Sequence, residues 1–244
     1  LSGSITYGGD CASSTSAASA DNNTVTFNAL ADGSYSNCTV RVTSNGVASD
    51  ALPVTSFTID TIAPTLSTVT IRSNNSRDTT KAKVGHNIIL SITSAEATQS
   101  YNVTIAGQPA TVSGSGTSWQ ATYTMQSSYS EGAVSFSIAF SDLSDNTGDN
   151  VTLTTNSSAV EFDKTAPSLS QVTAVTSITG DTTPDYTFNS NEAGTITVGG
   201  ACNSSKTNAS AGDNLITFGT TSSLSGITYN DCTITVTDLS LIHI

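Results

Sequence analysis

The sequence predicts an all-β chain of short antiparallel strands packed as two-sheet sandwiches in series. Three observations predict it. Apolar and polar residues alternate with period two over short runs, Gly, Pro, Asn and Asp punctuate those runs, and whole blocks recur at fixed offsets. No segment holds a 3.6-residue period over the length a helix needs.

From the start of the chain, Gly3-Ser-Ile-Thr-Tyr-Gly-Gly-Asp-Cys11 reappears as Gly194-Thr-Ile-Thr-Val-Gly-Gly-Ala-Cys202. Asn23-Thr-Val-Thr-Phe27 reappears as Asn214-Leu-Ile-Thr-Phe218, at the same offset of 191 (202 − 11 and 218 − 27). Asn37-Cys-Thr-Val-Arg-Val-Thr43 then matches Asp231-Cys-Thr-Ile-Thr-Val-Thr237 after a short insertion. A second recurrence marks boundaries: Phe57-Thr-Ile-Asp-Thr-Ile-Ala-Pro-Thr65 resembles Val160-Glu-Phe-Asp-Lys-Thr-Ala-Pro-Ser168, with a period of 103 (163 − 60). Each reads as a last strand, a connection stiffened by proline, and the first strand of the next repeat.

Between these junctions, Ile88, Leu90 and Ile92 share one strand face, as do Val103 and Ile105 on the next strand. Trp119, Ala121, Tyr123 and Met125 form a further inward row, followed by Val134, Phe136, Ile138 and Phe140. Turn signals separate them at Ala106-Gly107-Gln108-Pro109, Gly114-Ser115-Gly116 and Asp145-Asn146-Thr147-Gly148. Seven or so strands per hundred residues fit a sandwich of immunoglobulin type.

Charge excludes some roles. Lys and Arg number 7 against 19 Asp and Glu, a net charge of −12, which argues against nucleic acid or an anionic membrane as partner. No apolar stretch approaches the ~18 residues of a membrane span. No signal-peptide pattern opens the chain and it lacks an initiator Met, so Leu1 reads as the start of an excerpt.

The Asp-x-x-Ala-Pro-[Thr/Ser] junctions, the run Trp119-Gln-Ala-Thr-Tyr-Thr-Met125 and the paired repeats resemble bacterial Ig-like domains. The resemblance covers residues 1–238 and implies tandem Ig-like sandwiches, one complete and two truncated. The expected division is a partial domain at 1–60 lacking its first two strands, a complete one at 61–163, and a partial one at 164–238 lacking its last strand. Residues 1–56 are expected to be less ordered than 64–162, because their edges are unpaired. Leu239-Ser-Leu-Ile-His-Ile244 has no counterpart in the first copy and resembles a translated sequencing adapter. These six residues, His243 included, are set aside.

In an Ig-like strand order, Cys11 and Cys38 fall at one pole of their sandwich, as do Cys202 and Cys232, which implies two disulfides and an oxidising compartment. Neither a C-x-x-C nor a neighbouring His favours a metal on these cysteines. The same order gathers acids at the junctions: Asp60 near Glu96, Asp142, Asp145 and Asp149, with Asp32 reaching from the preceding fragment. The second set is Glu131, Asp163, Glu192 and Asp238. Calcium is the cofactor such sets suit, with Asp60 and Asp163 foremost. The bland reading is that these acids cap turns and keep a stalk soluble. No compact Asp-x-Asp-x-Asp-Gly loop is present.

Catalytic machinery is not expected. His86 lacks a triad partner, no G-x-S-x-G elbow occurs, and Trp119 is expected in the core. Tyr101 and Tyr129 are weak sugar-stacking candidates. Lys83 and Lys164 read as linker or edge charges, not as isopeptide donors. Asn-x-Ser/Thr triplets and Thr-x-Thr pairs follow from composition and β propensity. The expected function is non-enzymatic: a semi-rigid stalk segment of an extracellular, adhesin-like bacterial protein. Its expected partners are neighbouring Ig-like repeats and a cell-surface glycan or protein ligand, with no nucleic acid and no membrane insertion. The alternatives are a carbohydrate- or protein-binding module and accessory domains of a secreted hydrolase.

Overall fold

A computed structural model describes residues 2–177, 179–220, 230–238 and 240. Most of the tail resembling an adapter, Leu239 and 241–244, lies outside the described residues, His243 with it. Among the described residues the chain is all β, its ladders mostly antiparallel, with a short parallel pair between Glu161–Phe162 and Lys81–Ala82. It divides into two units: residues 1–65, 98–100 and 140–149 form the first, and 66–97, 101–139 and 150–244 the second.

In the first unit, Gly3–Gly8 lies between Ala17–Ala18 and Thr39–Ser44, and the latter also carries Val47–Ala48 and Leu52–Pro53. Gly33–Tyr35 pairs with Phe57–Ile59 in a separate two-stranded sheet. Ile5, Ala18 and the bridged cysteines Cys11 and Cys38 are buried. Tyr7, Phe27, Phe57 and Tyr35 form a row of rings with centroids 6.2, 6.4 and 5.3 Å apart.

The second unit holds the middle repeat's main sheet, in the order Thr111–Ser115, Ser118–Thr124, Asn87–Ser94, Leu66–Ser73. The period-two reading holds here: Ile88, Leu90 and Ile92 are buried on one face of their strand, against Ile71 and Ala121 across the ladders. Val103, Ile105, Ile138 and Phe162 are buried too, each large apolar side chain contributing about 1.5–3 kcal/mol. Glu161–Phe162 runs antiparallel to Gly132–Ala133 and parallel to Lys81–Ala82, an arrangement that alternation alone does not encode. Ala106 and Gly107, at φ 51° and 74°, make the two-residue hairpin before Gln108–Pro109. Trp119 differs from expectation. It sits half-buried near the strand's start, donating its Nε1–H to the Gly116 carbonyl, with its ring 4.9 Å from that of Tyr101. Its indole N–H would lose that acceptor deeper in an apolar core.

The last repeat stacks a sheet of Leu169–Thr173, Asp185–Ser190 and Gly212–Thr217 near one of Asn208–Ala209, Gly194–Gly199 and Thr233–Thr237. Phe188, Ile196, Ala209, Ile216, Phe218 and Val236 form its core. The recurrences in sequence become recurrences in geometry. Ile5 pairs with Val42 as Ile196 pairs with Val236, and Ala18 is buried as Ala209 is. Asn23 takes the Ser19 N–H at 2.9 Å and donates to the Ser19 carbonyl; Asn214 does the same to Ser210.

One recurrence breaks. Gly212–Thr217 is a strand paired along Asp185–Ser190, whereas the matching 21–26 belongs to no ladder among the described residues. Amide hydrogens of 23–27 are therefore expected to exchange at least about tenfold faster than those of 214–217, measured by hydrogen–deuterium exchange. Equal protection would contradict the pairing difference.

Candidate functional site

The acidic groups become a site through strand pairing. Gly194–Gly199 and Thr233–Thr237 pair so that Thr195 faces Thr237. Glu192, in the turn before the first strand, and Asp238, just after the second, therefore sit at one end of the sheet. The turn is built locally, with Ser190 Oγ donating to the Glu192 carbonyl at 2.6 Å. Asp163 arrives from the linker, where its N–H extends the parallel ladder to the Ala82 carbonyl at 2.8 Å. The end of the linker is held by the same turn: Ser168 N–H donates to Asn191 Oδ1 at 2.6 Å and Asn191 N–H to the Ser168 carbonyl at 3.2 Å.

The result is a three-carboxylate cluster. Asp163, Glu192 and Asp238 each place an oxygen within 4.8 Å of the others. Asp238 is buried and accepts the Ser240 hydroxyl on both oxygens, at 2.9 and 2.8 Å. Burial pushes the Asp163 carboxyl above its ordinary range, and the charges of Asp238 and Glu131 push it further; an N–H from Thr165 opposes them. Burial likewise raises Glu192, reinforced by Asp163 and Asp238. Lys164, next in sequence to Asp163, turns its ammonium to the Ser127 and Tyr129 carbonyls at 3.0 and 2.7 Å. Glu131 is engaged by the linker backbone, accepting the Lys164 N–H at 2.9 Å and the Thr165 hydroxyl at 2.5 Å. Those bonds hold its carboxyl below the ordinary range.

The first unit repeats parts of this plan. Asp60 and Asp142 bring carboxylate oxygens within 4.8 Å. Asn146 ties them, donating from one amide to Asp142 Oδ2 at 2.9 Å and to the Asp60 carbonyl at 3.0 Å. Burial raises the Asp142 carboxyl, but hydrogen bonds from Asn146 and the Ser144 N–H outweigh it and hold it low. Asp32 does what Glu131 does, accepting the Thr61 N–H at 3.1 Å and the Thr61 hydroxyl at 2.9 Å. Asp145 takes the Gln99 amide at 2.7 Å, and Asp149 is exposed. Glu96, in the second unit, is half-buried and holds the position that Glu192 holds: the hydroxyl of Ser94 donates to its carbonyl at 2.5 Å. The pinning amides, Asn146 and Asn191, were not singled out from sequence; their place inside Asp- and Glu-bearing turns was the available signal.

These sets can hold a metal ion. Their donors are hard carboxylate oxygens, which suit calcium or magnesium better than a soft or imidazole-seeking metal. A divalent cation would also relieve the repulsion that raises Asp163 and Glu192. Raised folded values mean that the unfolded chain gives up these protons first as pH rises, so their contribution to stability falls from just above the ordinary 3.8 and 4.5 through the folded values. In chelator, Asp163→Asn is therefore expected to melt higher than the parent at pH 7, the gap closing toward pH 3.8. A gap constant with pH would contradict this.

Two disulfides, Cys11–Cys38 and Cys202–Cys232, fit an oxidising environment. Among the described residues no helix is long and apolar enough to cross a membrane. His86 accepts the Lys83 N–H on Nδ1 at 3.3 Å, and burial, with the Lys83 charge, lowers its pKa. No protein-family model matches the chain, and no curated protein matches it.

Proposed function

We propose that the chain is a non-enzymatic segment of an extracellular bacterial protein of adhesin type, built from tandem Ig-like repeats that form a semi-rigid stalk. Calcium binds at the carboxylates beside each linker. One observation carries this reading: the linker acid Asp163 is held within 4.8 Å of Glu192 and Asp238, two acids fixed by the sandwich that follows it. A cation there ties linker to sandwich and limits bending. Asp60 and Asp142 supply the carboxylates beside the first linker. The neighbouring repeats are the chain's partners, and a surface glycan or protein is the ligand that a stalk of this kind presents or reaches.

Calorimetric titration of calcium into the full chain tests it. Saturable heat is expected, reduced in the double variant Asp163→Asn, Asp238→Asn, with a gain of about 2.7 kcal/mol in stability at a hundredfold excess over Kd. No heat beyond dilution would sink the calcium reading. Single-molecule pulling tests the stalk: unfolding forces should rise in calcium and fall in chelator, and equal forces would refute a mechanical role.

A carbohydrate-binding role is favoured by one feature, the half-buried Tyr101 and Trp119 rings 4.9 Å apart. Specific hits on a glycan array, lost in Trp119→Ala, would move the assignment to that reading.

A further inference from the structure

The outer repeats each carry a disulfide, and no cysteine lies between Cys38 and Cys202. In the middle repeat two phenols meet instead. Tyr123 stands opposite Ile88 near the end of Ser118–Thr124, and Tyr129 follows it by six residues in the next turn. Their hydroxyl oxygens are in direct hydrogen-bond contact. The ring centroids lie 6.0 Å apart, with the planes inclined at 50°. Phenols meeting end to end would stand farther apart, so the two rings converge and bring the carbons beside their hydroxyls near one another. Both rings are half-buried: the fold holds them, yet solvent reaches them. Tyr129 also lines an open cleft of about 200 Å³, walled by the buried Met125 and Phe162. Elsewhere tyrosine meets rings without a phenol: Tyr7 and Tyr35 lie against Phe27 and Phe57, Tyr186 against Phe218, and Tyr101 against Trp119. The turn that carries Tyr129 is the one that holds the linker. Tyr129 N–H donates to the Gln126 carbonyl at 3.3 Å, Lys164 Nζ donates to the Ser127 and Tyr129 carbonyls, and Glu131 accepts the Lys164 N–H.

We propose that Tyr123 and Tyr129 are a modification site, a pair placed for oxidative coupling into a dityrosine cross-link by a peroxide-dependent one-electron oxidant. Each phenol gives up one electron and one proton. The two tyrosyl radicals join through a carbon–carbon bond between the positions beside their hydroxyls, and the hydrogens on those carbons move to oxygen and restore both phenols. Hydrogen peroxide takes the two electrons and two protons and leaves as water. The pair is already in contact, so coupling within the chain outruns encounter between chains. The bond ties the main sheet to the turn that holds Lys164 and Thr165, a covalent restraint in the repeat that no disulfide serves. The oxidising environment that the two disulfides fit is one in which such an oxidant persists.

Treating the dilute full chain with a haem peroxidase and hydrogen peroxide tests the proposal. Cyanogen bromide then cuts after Met125, the single methionine, which lies between the two tyrosines, while each disulfide stays within one fragment. The expected product is a monomer lighter by two hydrogens, with dityrosine fluorescence. Its two fragments stay joined although a new N-terminus appears at Gln126, and fragment mass spectra place the bond on Tyr123 and Tyr129. Tyr123→Phe and Tyr129→Phe are each expected to lose the joined product, and Tyr186→Phe to keep it. Amide exchange at 127–131 should be slower in the coupled protein. Fragments that separate, joining that survives Tyr129→Phe, or coupling only between copies overturns the proposal, as does unchanged exchange at 127–131.

Discussion

Replacing Cys11 and Cys38 together with serine is expected to lower the stability of the N-terminal repeat by about 3.5 kcal/mol, the chain-entropy value for a loop of this length. The bridge closes a separation of 27 residues, and both cysteines are buried, at 4% and 2% exposure. It joins the segment after Gly3–Gly8 to the segment before Thr39–Ser44, beside the ladder that carries most of this repeat's pairing. The bridge flanks the Gly3–Gly8 and Thr39–Ser44 ladder, so the loss falls on that sheet. The Cys202→Ser, Cys232→Ser pair closes a separation of 30 and is expected to cost a similar amount in the last repeat. Denaturant melts resolved by hydrogen exchange on the two ladders measure both. A loss under about 1 kcal/mol in each would refute the entropic account.

The second large effect is expected at Gly200. Its φ is +76°, and a Cβ there would lie 2.1 Å from the Asp231 carbonyl oxygen. Two penalties combine: the left-handed backbone, about 1–2 kcal/mol for a residue with a Cβ, and displacement of a main-chain carbonyl that cannot swing aside. Gly9 repeats the geometry, at φ +77° and 2.2 Å from the Asn37 carbonyl. Both glycines sit where a turn crosses the residue just before the second cysteine, so the close approach and the disulfide share one geometry. Gly200→Ala is expected to destabilise its repeat by about 3 kcal/mol or more. Gly107→Ala, at φ +74° with nothing within 4 Å of a Cβ, should show the backbone penalty alone. Thermal melts of the two variants side by side decide it; equal losses would show that the carbonyl contact costs nothing.

Much of the fold was legible because its signals are local. Ile88, Leu90 and Ile92 declare a strand within five residues, and Ala106-Gly107 declares a turn within two. The repeats made Cys11 and Cys202 equivalent before any pairing was known. Trp119 misled because alternation gives a residue's side of a strand but not its distance from the strand's end. Asn23 to Phe27 repeats the sequence of Asn214 to Phe218 but lies in no ladder among the described residues, whereas Gly212–Thr217 pairs with Asp185–Ser190.

The site was legible in composition and partly in position. The Ig-like strand order that the sequence resembles placed acids near both linkers. It could not separate Asp163, Glu192 and Asp238, which converge, from Glu131, which binds the linker's N–H and hydroxyl groups instead. That choice depends on where a linker is held by Asn191 and how two strands align across the 33 residues of chain between them, 200 to 232.

By itself, then, the sequence determined an all-β chain and its internal recurrences, since period-two patterning and turn chemistry act over a few bonds. Only the tertiary structure decided which carboxylates share one small volume and how far Trp119 is buried. Those outcomes rest on contacts between residues far apart in the chain, where a shift of one residue in register turns a buried side chain to water.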